Sequence, residues 1–153
     1  MKLLKSFIVV LFLLNVFALA VQSDAAIFRI TSAKLYFTKG NNRLIINGKI
    51  AIGSIDLTAN DLTIQVGSYS LTVEAGSFSK SGKKYIISDE LLAMGFPKII
   101  LDLKAKTFSV TASGIDLSGT ENPVNISITI GDSYSECATL NMKKFKKRCF
   151  MAV

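Results

Sequence analysis

Val124-Asn125-Ile126-Ser127-Ile128-Thr129-Ile130 is the run from which the fold can be read. Every second side chain is a branched aliphatic, and those between are Asn, Ser or Thr. A helix would scatter this pattern around its circumference. A strand places the aliphatics on one face and the polar groups on the other, which is the mark of a half-buried antiparallel strand. The same alternation recurs in Leu62-Thr63-Ile64-Gln65-Val66 and in Leu71-Thr72-Val73-Glu74-Ala75. Outward from these runs, further strands read at about 27–37, 43–52, 84–88, 98–103, 107–113 and 133–141, with a last one over 147–152. Only Asp89 to Gly95 resembles a helical turn, and it ends at Gly95 before Pro97. The expected architecture is all-β: an antiparallel β-sandwich of about 8–10 short strands, with a closed barrel as the alternative.

Two turns support this. Val66-Gly67-Ser68-Tyr69 and Ile130-Gly131-Asp132-Ser133 each place glycine first in a short loop between alternating runs. A II′ hairpin turn needs a positive φ there, which glycine adopts without a Cβ clash. The turns belong to an internal repeat. Gly53-Ser54-Ile55-Asp56-Leu57-Thr58 resembles Ser113-Gly114-Ile115-Asp116-Leu117-Ser118, and Thr63 to Gly67 resembles Ser127 to Gly131. The offset grows from 60 to 64, so four extra residues enter the second copy, with Gly119 to Pro123 the place for them. Two four-stranded units at about 34–75 and 98–140, related by a pseudo-twofold axis, are expected within a single domain over 26–153. Separate domains of that size would bury too little core.

The chain opens Met1-Lys2-Leu3-Leu4-Lys5, followed by an apolar stretch through Val21 interrupted by Asn15. A basic start, a short apolar run and small-x-small sites at Ala18–Ala20 and Ser23–Ala25 describe a signal peptide over 1–25, cleaved after Ala20 or Ala25. The apolar run is shorter than the roughly 20 residues a spanning helix needs. The expected location is secreted or periplasmic.

The full chain has 18 Lys+Arg against 11 Asp+Glu. Removing residues 1–25 takes away Lys2, Lys5 and Asp24, leaving 16 against 10. Five of those cations lie between Lys143 and Arg148, so the remaining body is close to neutral. The basic pI is a local property, and a nucleic-acid-binding body is not expected. Histidine is absent, which removes the commonest general base and metal ligand, and two cysteines cannot build a zinc site. No catalytic motif, metal site or cofactor is expected.

Three groups of residues invite a role. Asp56 and Asp116 occupy the same place in the repeat. They could pair as acid and base in a carboxylate-dependent hydrolase, or each could cap backbone N–H groups at a corner. The corner role suits a duplicated feature better. Cys137 and Cys149 are the only cysteines, and in an exported chain they are expected to form a disulfide. Lys143-Lys144-Phe145-Lys146-Lys147-Arg148 reads as a basic C-terminal loop. Its cations suit an anionic membrane, lipopolysaccharide or acidic polysaccharide, and Phe145 offers an apolar anchor. As edge residues, the same lysines would guard against strand addition. The function expected is that of an exported, non-enzymatic structural or binding module of the cell envelope or extracellular space. The hydrolase is the alternative, and a small-ligand carrier would require an open barrel.

Overall fold

The structure is a computed structural model that describes residues 27–146 and 149–152. The signal-peptide expectation therefore lies outside the described residues, as do Lys147 and Arg148 of the basic segment. In chain order the strands are β1 (Phe28–Tyr36), β2 (Asn42–Ile50), β3 (Leu62–Val66), β4 (Tyr69–Val73), β5 (Phe78–Ser81) and β6 (Lys84–Ile87). A short helix, α1 (Asp89–Ala93), leads into β7 (Lys98–Asp102), β8 (Thr107–Ile115), β9 (Val124–Ile130), β10 (Tyr134–Leu140), β11 (Lys143–Lys146) and β12 (Cys149–Ala152).

All pairings are antiparallel, and the strands form two sheets. The larger runs β11-β12-β1-β2-β8-β7-β6-β5, the smaller β10-β9-β3-β4. Neither closes into a barrel, so the sandwich stands and the barrel alternative falls. The described strands number twelve, more than the 8–10 expected. β5 and β11 are the additions. Both are four-residue strands rich in Lys and Ser, with no apolar alternation to announce them.

Both sheet orders read as a palindrome when β1–β6 are exchanged with β7–β12. The repeat is thus six strands long, not four. Its axis can be placed from the registers. In the large sheet Ile46 lies opposite Val110, and in the small sheet Ile64 lies opposite Ile128. In both pairs the partners are 64 positions apart. Around the second pair, Leu62 faces Ile130 and Val66 faces Ile126, as a local twofold requires. Ile64 and Ile128 are 2% and 1% exposed, so the two copies meet at the centre of the core.

Local chemistry explains the joints. β3 and β4 are joined by Gly67-Ser68 alone, with Gly67 at φ 56° and Ser68 not among the positive-φ residues, the II′ combination. The corresponding turn between β9 and β10 is one residue longer, holding Gly131 to Ser133. Gly48 on β2 serves a different purpose. Phe108 lies opposite it, and a Cβ there would run into the Phe108 ring and sit 2.6 Å from the Arg29 carbonyl oxygen.

The expected disulfide is not formed: Cys137 and Cys149 are both free. The reason is the alternation along their strands. Cys137 lies on β10 of the small sheet, on the exposed face that also carries Ser135 and Thr139. Cys149 lies on β12 of the large sheet and is buried. The two sulfurs belong to different sheets, one facing solvent and one the interior.

Candidate functional site

The basic segment is not a free loop. β10 ends at Leu140, and within two residues the chain enters β11, the outermost strand of the large sheet. The crossing is held by Asn122, from the insertion that lengthens the second copy. Its Oδ1 accepts from the Met142 N–H at 2.8 Å, and its Nδ2 donates to the Met142 carbonyl at 3.2 Å. Met142 is thereby drawn into the core, and its neighbours Lys143 and Lys144 stand exposed on β11. Among the described residues β11 pairs only with β12, placing Lys143 opposite Met151, Lys144 opposite Phe150 and Lys146 opposite Cys149. The register slips between Lys144 and Lys146, so Phe145 sits at a bulge. Strand pairing thus extends Lys143–Lys146 along a sheet edge, which corrects the expectation of a loop. Lys143 and Lys144 form no ion pair among the described residues.

An apolar cleft of about 190 Å³ opens beside this edge, between the two sheets. Leu35, Phe37, Val124, Met142 and Phe150 line it, with Thr120, Glu121 and Asn122 also contributing. The Phe37 and Phe150 rings meet edge to face at 5.6 Å. The β11 strand thus carries cations, and its base borders the apolar cleft. Glu121 is the one anionic residue in the lining.

The two aspartates do not converge. Asp56 follows β2 and Asp116 follows β8, and these strands are antiparallel neighbours. Lys49 lies opposite Thr107 and Asn42 opposite Ile115, so the two corners lie at opposite ends of an eight-residue ladder. At about 3.3 Å per residue that ladder is about 23 Å long. A glycosidase pair stands about 5 to 9.5 Å apart. Each aspartate instead closes its own corner. Asp56 Oδ1 accepts from the Thr58 N–H at 2.9 Å, and Asp116 Oδ1 from the Ser118 N–H at 2.8 Å. Asp56 also takes the Lys80 ammonium at 3.0 Å and the Tyr85 hydroxyl at 3.2 Å. Donation from the Thr58 backbone, then from Lys80, holds the Asp56 carboxyl well below the usual carboxylate range. The Ser118 side chain and backbone lower that of Asp116. A general acid needs the opposite shift.

The Asp56 corner was legible in the repeat, but its tie to the β5–β6 hairpin was not. Lys80 also stands over the Tyr85 ring, 5.2 Å from its centroid. In the second copy Phe150 takes the place of Tyr85, each lying opposite a leucine of β1 or β7, so the phenolic donor is lost there. Asn122 was also missed. The unequal offset pointed to its loop, yet nothing marked that side chain as the anchor of the basic segment. Among the described residues no group of three or more Cys, Asp or Glu could hold a metal ion.

Fold and site together define, among the described residues, a twelve-stranded, internally duplicated β-sandwich with a cationic edge hairpin. No known protein family, no curated protein and no solved structure matches the chain.

Proposed function

We propose that this chain is exported and that its mature domain is a non-enzymatic binding module for anionic surfaces of the envelope or extracellular space, acting through the β11–β12 hairpin. The observation that carries the reading is the placement of Lys143 and Lys144. They are exposed on an edge strand, they continue toward Lys146, Lys147 and Arg148, and an apolar cleft opens at the hairpin's base. Charges on a paired strand lose less freedom on meeting a surface than charges on a tail. Near an anionic membrane each basic residue contributes about 1 kcal/mol. Lipid phosphate, lipopolysaccharide and acidic polysaccharide share the chemistry these cations would recognise. The two sheets do not close around an open interior, so a barrel-type carrier is not proposed.

The test is co-sedimentation with phosphatidylglycerol-containing and purely zwitterionic vesicles. Salt is raised from about 0.01 M to about 1 M, over which the screening length falls from about 30 Å to about 3 Å. Wild type should sediment only with anionic vesicles at low salt. A variant with Lys143, Lys144, Lys146, Lys147 and Arg148 all changed to Gln should stay in solution. Equal binding by both proteins, or none by either, would leave the lysines with edge protection alone. Lipopolysaccharide and acidic polysaccharide serve as further arms. Sequencing of the exported protein should find Val21 or Ala26 at its N-terminus.

A further inference from the structure

Among the described residues, two open sheets leave four strands with one unpaired backbone side each. These are β5 and β11 in the large sheet, β4 and β10 in the small one. An unpaired edge is a template for another chain, and charged side chains are a common guard against it. β5 carries Lys80, and β11 carries Lys143, Lys144 and Lys146. β10 carries Glu136, half-buried and opposite the core residue Ile128. β4 reads Tyr69-Ser70-Leu71-Thr72-Val73 and has no charge at all. The repeat sharpens the contrast. Leu71 lies opposite Ile64 as Glu136 lies opposite Ile128, so one position of the duplicated edge is an aliphatic residue in one copy and a glutamate in the other.

We propose that β4 is the surface by which two copies of this chain associate, pairing antiparallel about a twofold axis at Leu71 to join two small sheets into one of eight strands. The inference is independent of the anionic-surface reading. An edge can satisfy its N–H and C=O groups only with another extended strand, and β4 is self-complementary in this register. Tyr69 meets Val73 of the second copy, Ser70 meets Thr72, and Leu71 meets Leu71. Beyond the strand, Glu74 falls opposite Ser68, so no like charges face each other. Tyr69 and Leu71, half-buried at the rim of the core, gain apolar neighbours. On the outer face, the contact between the Thr63 and Thr72 hydroxyls at 2.9 Å would continue into Ser70 of the second copy. Pairing of β4 with β10 of another copy would be head-to-tail and open-ended. It would also bring Glu136 against the apolar rim.

Sedimentation equilibrium of the protein purified after export should show a reversible dimer at micromolar concentration. Leu71→Glu, which installs the residue of the matching position on β10, should give a monomer with an unchanged circular dichroism spectrum. Two further variants act on the exposed face and report on register. Ser70→Lys with Thr72→Lys sets lysines opposite one another twice and should weaken the dimer by about tenfold. Ser70→Lys with Thr72→Glu sets opposite charges there and should retain it. A monomeric wild type, indefinite assemblies, a dimer that survives Leu71→Glu, or two double variants that behave alike would each overturn the proposal.

Discussion

Asp56 and Asp116 show how a duplicated residue acquires unequal surroundings. Both carboxylates turn the chain at a corner by accepting a backbone N–H two residues ahead. Among the described residues, only Asp56 also binds a lysine and a tyrosine from a neighbouring hairpin. Its folded pKa lies below that of an unfolded aspartate, about 3.9. The stabilisation it provides is therefore fully present above about pH 4 and is lost as the pH falls through the depressed folded value. Asp56→Asn keeps an oxygen for Thr58 and loses the charge that attracts Lys80. The variant should be less stable than wild type at neutral pH, and the gap should narrow as the pH is lowered from about 5 to about 2. Urea unfolding midpoints across that range measure it, and a gap independent of pH would contradict the assignment. Tyr134 titrates at the other extreme. Burial first, then the Glu136 charge, pushes its phenol up to about 12. Its hydroxyl has no hydrogen-bond partner among the described residues.

At the scale of elements, the long strands announced themselves and the short ones did not. β3 and β9 alternate strictly because one face of the small sheet packs on the core and the other meets solvent. β5 and β11 lie at sheet edges, and Ser79 to Ser81 of β5, like Lys143 and Lys144 of β11, are exposed, so burial imposes no alternation there. The register between β2 and β8 depends on a void that only glycine leaves. Phe108 fills the space above Gly48 and stacks on Phe28 with centroids 5.7 Å apart. Gly48→Ala would press its methyl against both that ring and the Arg29 carbonyl, a backbone atom with little room to yield. The expected cost is about 1–3 kcal/mol, in the range for overpacking a close-packed site. Denaturant unfolding reads it directly, and a loss within about 0.5 kcal/mol would mean that the ring moves aside freely.

For the whole molecule, four of the ten strand pairings cross between the halves: β1–β12, β2–β8, β3–β9 and β6–β7. A half cut out at the β6–α1 junction would leave β1, β2, β3 and β6 each without a neighbouring strand. Residues 26–88 and 89–153, expressed separately, should each be unfolded by circular dichroism. The intact domain should unfold in one transition, with tyrosine fluorescence and far-ultraviolet signals coinciding. A half that unfolds cooperatively by itself would contradict this picture.

Alternation, glycine placement and the Ile-Asp-Leu corners determined the fold class, the antiparallel pairing and the twofold character, because each follows from chemistry within a few residues. Tertiary structure alone decided which strands lie next to each other, and with that the fate of the candidate sites. Two cysteines in a chain expected to be exported made a bridge between Cys137 and Cys149 plausible, but sheet assignment put one thiol outside and the other within. A shared motif made Asp56 and Asp116 resemble a pair, but antiparallel neighbours send their ends in opposite directions. Six charged or aromatic residues in a row resembled a loop until the edge of β12 offered Lys143–Lys146 a partner. Sequence patterns report which face of a strand is buried; which strands share an edge depends on contacts far apart along the chain, and no local pattern encodes them.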